Sequence, residues 1–142
     1  MRVMGLDVGE RRIGVALSDT LGLTAQRLTV LTRQNASADA KAIGALAAQH
    51  GVETIVVGLP LTMRGEQGIQ AKRVTSFVET LRRNTAVPIQ WMDERLTTVQ
   101  GERALLETGA SRRKRKQVID QVAAQLILQQ FLDAHAHSRR AQ

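Results

Sequence analysis

The chain of 142 residues has the length of one ordinary domain, and its 43% hydrophobic and 23% charged residues are typical of a soluble globular protein. It contains no cysteine, which excludes disulfides, zinc–thiolate sites and cysteine nucleophiles. The net charge of +7 favours a polyanionic partner such as nucleic acid, and the absence of a signal peptide or a membrane-spanning run predicts a cytoplasmic protein.

The first part of the chain has the pattern of an antiparallel meander. Two β-like runs, RVMGLDVG (2–9) and RIGVALSD (12–19), are joined by a short glycine-containing turn, as in a hairpin. The alternation around Leu28 and Val30 predicts a third strand within 23–33. Because no helix-length segment separates these runs, we expect three consecutive antiparallel strands.

The rest of the chain alternates between helical and strand-like patterns. The predicted helices span 35–51, 67–83, 97–108 and 117–136, and the predicted strands span 54–60 and 87–94. Asn35 or Ser37 can cap the first helix, and Gly51 ends it. In the second helix, apolar residues at helical spacing run from Ile69 to Leu81. This order predicts one α/β domain over residues 1–142 with a mixed sheet.

Three acidic residues occupy positions where acids need an explanation. Asp7 interrupts an apolar strand in phase with Val3 and Gly5, and an uncompensated buried carboxylate is costly. Glu94 follows the last predicted strand, at the edge where open α/β sheets bind ligands. Asp120 lies on the apolar stripe of the last predicted helix. Each acid therefore needs a partner.

Carboxylates from three distant segments can converge on a hard divalent cation, Mg²⁺ or Mn²⁺ rather than zinc. Taken singly, each acid has another explanation. Asp7 could be a turn residue, Glu94 could pair with Arg95, and Asp120 could lie near the positive end of a helix. Because a metal site explains all three acids together, we expect them to be metal ligands.

Two further segments indicate contacts with phosphate. The run RRKRK (112–116) lies between two predicted helices, which makes a solvated tail a weaker interpretation. The loop GLPLTMRGEQG (58–68) joins a strand to a helix, a position that often meets phosphate, although it lacks the Walker ending and could be a flexible connector. Aromatic residues are scarce, so we expect backbone contacts and shape to dominate over stacking on aromatic rings.

Four blocks of the sequence resemble the bacterial YqgF/RuvX family: GLDVGERRIGVALSD, VVGLPLTMRGEQG, DERLTTVQ and VIDQVAAQLILQQFLD. The blocks occur in the family's order and run nearly end to end. The resemblance implies a ribonuclease H-like fold, with three antiparallel strands followed by two parallel strands. Arg64 and Gly101 depart from the family pattern, at positions that bear on substrate contacts rather than on the acids.

The resemblance also implies a mechanism. Asp7, Glu94 and Asp120 would carry catalysis by holding two Mg²⁺ or Mn²⁺ ions for phosphodiester hydrolysis. The expected substrate-binding residues are Arg11, Arg12, Arg64, Arg95, Arg112, Arg113 and Lys114.

Family members are described as nucleases that mature the 5′ end of pre-16S rRNA and as Holliday junction resolvases. The first description predicts a role in ribosome biogenesis, with the ribosomal small subunit as a partner, and the second predicts branched DNA as the substrate. An alternative of another class is an RNA-binding ribosome assembly factor without catalysis. That alternative explains the positive charge but leaves three acids without a purpose.

Overall fold

The computed structural model describes residues 1–62, 64–93 and 122–135. The strands are β1 (Arg2–Val8), β2 (Arg12–Ser18), β3 (Ala25–Thr32), β4 (Val52–Leu59) and β5 (Ile89–Asp93), and the helices between them are α1 (Ala36–Gln49) and α2 (Ile69–Asn84). Residues 122–135 are also helical and are called the C-terminal helix below.

The five strands form one sheet in the order β3-β2-β1-β4-β5. β1 is central: it runs antiparallel to β2, with Asp7 opposite Gly14, and parallel to β4. β2 is antiparallel to β3, and β4 is parallel to β5. The predicted meander and the predicted order of antiparallel and parallel strands are confirmed. Because β1, β4 and β5 are parallel, their carboxyl ends meet at one edge of the sheet.

Helices pack on both faces of the sheet. Because successive side chains of a strand point to opposite faces, each strand contributes residues to both packing layers. On one face, the α1–α2 face, Met4 and Leu6 of β1 pack in a buried cluster with residues of α1 and α2. On the other face, Val3 packs in a second cluster with residues of the C-terminal helix, including Ile127 and Leu128. Consecutive residues of β1 therefore point to different helices.

The two helices between the strands begin for different reasons. α1 is preceded by the predicted cap Asn35, whose side chain accepts a hydrogen bond of 2.8 Å from the Ala38 N–H. α2 begins at Ile69, which is 74% exposed, so the prediction that Ile69 belongs to the apolar stripe is wrong. Ile69 is the first helical residue and precedes the turn that packs on the sheet, whereas Ala71 and Val74 are buried.

The C-terminal helix confirms the last predicted helix over the residues that the structure describes. The predicted helix 97–108 lies outside those residues. Across the described ranges, no helix is long and apolar enough to cross a membrane.

Candidate active site at the end of strand β1

Asp7 is the second-last residue of β1 and is half-buried. Strand alternation from Val3 and Gly5 places it on the face that the C-terminal helix covers, as the sequence predicts. Its partner across the antiparallel pair is Gly14, which has no side chain beyond a hydrogen. The carboxylate therefore lies at the carboxyl edge of the parallel strands, beside a neighbour that leaves space next to it.

The C-terminal helix packs directly on the backbone of β1. A Cβ atom on Gly5 would lie 2.7 Å from the Leu128 Cβ and 3.0 Å from the Ala124 carbonyl oxygen, both closer than ordinary contacts. Glycine is required at this position because the helix approaches too closely for any side chain. The close approach lies two residues before Asp7, so it brings the helix to the region of the candidate site.

Two glutamines fix the direction of this helix. Gln125 Nε2 donates to the Ala25 carbonyl at 3.0 Å, and Gln129 Nε2 donates to the Leu23 carbonyl at 3.1 Å. The Ala25 N–H donates in turn to Gln129 Oε1 at 2.9 Å. Ala25 pairs with Ser18, which accepts a hydrogen bond from the Val3 N–H, so Ala25 lies at the end of the sheet where β1 starts. The helix therefore runs toward that end. Its amino end therefore points toward Asp7.

The tight turn between β1 and β2 contains two arginines, Arg11 and, at the start of β2, Arg12. The Gly9 N–H donates to the Arg12 carbonyl at 2.8 Å, and a Cβ on Gly9 would lie 2.8 Å from the same oxygen. The turn is thus closed so tightly that only glycine fits. Arg11 is exposed and Arg12 is half-buried, both close in sequence to Asp7 at this edge of the sheet. Their role in holding substrate phosphates stays a prediction.

Arg33, which sequence reasoning missed, holds the same turn from the α1–α2 face. Its Nη1 donates to the Gly9 carbonyl at 3.2 Å, and its Nε lies 3.2 Å from an Asp39 carboxylate oxygen. Asp39 is 4% exposed and also accepts from the Gln34 N–H at 3.1 Å. The Arg33 Cζ lies 4.9 Å from the centre of the Phe77 ring. One guanidinium thus connects the end of β1 with α1 and α2.

The glycine-rich loop after β4 folds into a hydrogen-bonded turn at this edge of the sheet. The Thr62 N–H donates to the Glu66 carbonyl at 2.8 Å, and the Gly65 N–H donates to the Thr62 carbonyl at 2.8 Å. Gly65 has a φ of 81°, which favours glycine. Arg64 is exposed within the turn. These hydrogen bonds join Thr62 to Gly65 and Glu66.

The structure describes only part of the predicted site. Glu94 comes directly after Asp93, the last residue of β5, and lies outside the described residues, as does Asp120. The predicted substrate-binding residues outside them are Arg95, Arg112, Arg113 and Lys114. Within residues 1–62, 64–93 and 122–135, no three His, Cys, Asp or Glu side chains are grouped to hold a metal ion. Two of the three predicted ligands fall outside these ranges.

The chain is similar in sequence to a known family over nearly its full length. The family model RuvX, described as a Holliday junction resolvase, matches residues 1–134. A protein of Moorella thermoacetica named "Putative pre-16S rRNA nuclease" is 55% identical over 133 residues, covering 94% of this chain and 95% of that protein. A relative of the same name from Clostridium acetobutylicum is 49% identical, covering 94% of this chain and 99% of that protein.

The fold also matches solved structures of lower sequence identity. RuvC of T. thermophilus in complex with a Holliday junction substrate has a TM-score of 0.57 at 19% identity, covering 96% of each chain. The Holliday junction resolvase of fowlpox virus has a TM-score of 0.59 at 7% identity, covering 95% of this chain and 99% of that one. At these identities the likeness establishes the fold, which is that of the RuvC-like, ribonuclease H-like resolvases.

Proposed function

The chain belongs to the RuvX family, and from that membership we propose that it is a metal-dependent endonuclease that matures the 5′ end of pre-16S rRNA. The observation that carries this proposal is the position of Asp7 at the carboxyl edge of the parallel strands, on the face covered by the C-terminal helix. Residues 1–142 would act as one nuclease domain in the cytoplasm, with precursor rRNA as the partner.

The packing of the C-terminal helix supports Asp120 as a second ligand. Ala124 lies against Gly5, and Asp120 precedes Ala124 by four residues, or roughly 6 Å of helix. Asp7 follows Gly5 by two residues, or roughly 6.7 Å of strand. Because the amino end of the helix points toward Asp7, one more helical turn would bring Asp120 level with Asp7.

The alternation of β5 supports Glu94 as the third ligand. Met92 packs against the cluster formed with the C-terminal helix, on the same face of the sheet as Asp7. Glu94 follows Met92 by two residues, so continued alternation would direct its carboxylate to that face. The strand between them, β4, runs parallel to both β1 and β5, which brings the ends of all three strands to one edge.

The donor chemistry fits a hard divalent cation. Three carboxylates in a chain without cysteine form an oxygen-only ligand set, as Mg²⁺ and Mn²⁺ prefer. Bound in pairs, such ions lower the barrier to phosphodiester hydrolysis by activating the attacking water and stabilising charge on the leaving oxygen. Asp7, Glu94 and Asp120 would hold two ions, and the protein would otherwise act by positioning the substrate.

Cations around this edge would position the scissile strand. Arg11 and Arg12 lie on the turn after β1, and Arg64 is exposed on the turn after β4. Guanidinium groups bind phosphate oxygens through charge-assisted hydrogen bonds. The remaining cations proposed for substrate binding are Arg95, Arg112, Arg113 and Lys114. Together they would hold the phosphates on both sides of the cleaved bond.

The second candidate function is resolution of Holliday junctions. It is favoured by the description of the RuvX family model, which matches residues 1–134. The same acids and cations would serve on branched DNA, because phosphodiester hydrolysis by two ions does not depend on the sugar. The two functions differ in substrate shape and not in chemistry.

The test is cleavage of two labelled substrates side by side in Mn²⁺: a transcript carrying the 5′ leader of pre-16S rRNA, and a four-way DNA junction. We expect cutting of the transcript within the leader, and loss of cutting on chelation. Cutting of the junction alone would replace the proposed substrate with branched DNA. Binding of RNA that survives chelation, with neither substrate cut, would identify an assembly factor instead.

A further inference from the structure

A cleft of about 610 Å³ opens on the α1–α2 face of the sheet, behind the turn that follows Asp7. Val8, Gly9 and Glu10 line one side of it, directly after Asp7 in sequence, and residues of α2 line the other. Its volume falls within the range of roughly 300–1,000 Å³ found for small-ligand sites. Of the residues proposed above for catalysis or phosphate binding, the four that the structure describes, Asp7, Arg11, Arg12 and Arg64, do not line this cleft.

Two side chains that line the cleft, Arg33 and the exposed Ile69, can pack against a flat ring. Val74 and Phe77 are buried beneath the cleft, and the Arg33 guanidinium covers the Phe77 ring. The hydrogen bonds of Arg33 to Asp39 and to the Gly9 carbonyl fix that guanidinium in place. Nucleobases that are not paired stack on guanidinium planes as well as on aromatic rings. A stacking site is thus available in a chain with few aromatic residues.

The rim of the cleft is cationic. Lys72 and Arg73 are exposed on α2 beside it. Arg73 Nη1 lies 3.5 Å from Glu10 Oε1, but these side chains are 56% and 73% exposed. An ion pair this exposed is weak, so a phosphate group can replace Glu10 as the partner of Arg73.

We propose that this cleft binds one unpaired nucleotide in a single-stranded flank of the nucleic acid substrate. The base packs on Arg33 and Ile69, and the adjoining phosphate lies between Lys72 and Arg73. Asp7 faces one side of β1 while Val8, the next residue, lines the cleft on the other. A nucleic acid strand that runs on from the site at Asp7 would therefore cross the turn that contains Arg11 and Arg12 and then reach the cleft. The inference rests on the proposed function, because the flank belongs to the same substrate.

The experiment measures binding without cleavage, using the full chain in chelator and a fluorescein-labelled 12-nucleotide single-stranded RNA. Lys72 and Arg73 are both changed to Gln, and the matched control changes Arg82 and Arg83 to Gln at the far end of the same helix. Both double variants remove two exposed positive charges. Only the first is expected to lower the affinity at least fivefold and to reduce the log–log salt slope by about 0.7, the change for the one phosphate that is no longer neutralised.

A second variant blocks the cleft without changing its charge. Ser76 is exposed and lines the cleft, so Ser76→Trp fills it, whereas Gln49→Trp places the same ring at the exposed end of α1. We expect Ser76→Trp to weaken RNA binding at least threefold and Gln49→Trp to leave it unchanged. Thermal melts of all variants identify any that fail to fold.

The outcomes separate the cleft from the proposed nuclease function. If the cleft variants and their controls lose the same affinity for RNA, the cleft proposal is wrong. If the wild-type chain also cleaves RNA in Mn²⁺, the nuclease proposal stands. Failure of the wild-type chain to bind this RNA would overturn the cleft proposal, whereas the nuclease proposal is decided by cleavage of the pre-16S leader in Mn²⁺. Loss of binding in the Lys72/Arg73 and Ser76 variants alone would support the cleft even if the RNA were never cut.

Discussion

Gly5 of β1 and Leu128 of the C-terminal helix approach so closely that a Cβ atom on Gly5 would lie 2.7 Å from the Leu128 Cβ. Gly5→Ala should therefore displace the helix and lower the free energy of unfolding by about 1–3 kcal/mol, the usual cost of overpacking. Because the displaced helix adjoins the site, nuclease activity should fall as well. Urea denaturation and a cleavage assay measure the two effects.

The matched control for this variant is Gly68→Ala. The nearest atom to a Cβ at Gly68 is the Thr62 Cγ2 at 3.4 Å, an ordinary distance. Because Gly68 is the N-cap of α2, where alanine is less favourable than glycine, we expect a loss of at most about 1 kcal/mol in the free energy of unfolding. Equal losses of stability in Gly5→Ala and Gly68→Ala would mean that the close packing of the helix on β1 does not limit stability.

The Arg33–Asp39 pair should contribute strongly to stability. Arg33→Met would leave the Asp39 side chain, which is 5% exposed, without the guanidinium that pairs with it. Breaking such a pair lowers the free energy of unfolding by about 3 kcal/mol. Asp39→Asn should cost less, and the double variant should be destabilised by less than the sum of the single variants. Urea denaturation of the four proteins measures this coupling. Strict additivity would contradict the role of the pair.

The sequence predicts the elements that depend on local pattern. Period-two alternation and a glycine turn are enough to identify the hairpin of β1 and β2, since both signals lie within twenty residues. The cap at Asn35 is equally local, because its side chain bonds a backbone N–H three residues on. The same alternation places Asp7 on its face before any tertiary structure is known. Among the described residues of the site, the face on which Asp7 lies is therefore predictable from the sequence alone.

The features that the sequence did not predict depend on tertiary packing. Arg33 bonds to Gly9 and Asp39 and covers Phe77, and these partners come from three parts of the fold. No local signal marks such a residue in a single sequence. Ile69 has the spacing of a core residue but is exposed, because a helix starts to be buried only where it meets the sheet. Arg33 and Ile69 both line the cleft, which therefore also depends on tertiary packing.

Asp19 should make stability depend on pH. Its Oδ1 accepts backbone N–H bonds from Leu23 at 2.7 Å and Thr24 at 3.2 Å, and these bonds lower the pKa of the Asp19 carboxyl below its ordinary value. Since the folded pKa is below the unfolded pKa, the contribution is present above the unfolded pKa and is lost as pH falls through the folded pKa.

The check compares thermal melts of wild type, Asp19→Ala and Asp19→Asn across pH. The melting temperature of wild type should exceed that of Asp19→Ala at pH 7, and the difference should shrink as Asp19 is protonated in acid. Asp19→Asn keeps an acceptor without a charge, so its difference from Asp19→Ala should stay constant. A wild-type advantage over Asp19→Ala that is the same in acid would contradict the account.

The basic run should bind substrate phosphates. Changing the three cations at 112–114 to Gln should weaken RNA binding evenly across sequences and reduce the log–log salt slope by roughly 0.7–0.9 for each phosphate that is no longer neutralised. The control removes three exposed charges elsewhere, at Lys41, Arg82 and Arg83. The slopes are measured by fluorescence anisotropy at salt concentrations from about 50 to 200 mM. Equal slopes for the two triple variants would mean that the basic run is a solvated charge cluster that does not bind phosphate.

The central claim is that Asp7 holds the metal ions that the nuclease requires. The most direct measurement is cleavage of the pre-16S leader by wild type and Asp7→Asn in Mn²⁺, with melts of both proteins with and without the metal. The amide keeps the shape of the side chain but is a far weaker ligand, so the fold should persist while cleavage and most of the Mn²⁺ stabilisation disappear. An Asp7→Asn protein that still cuts the leader, or that gains the full Mn²⁺ stabilisation, would contradict the account.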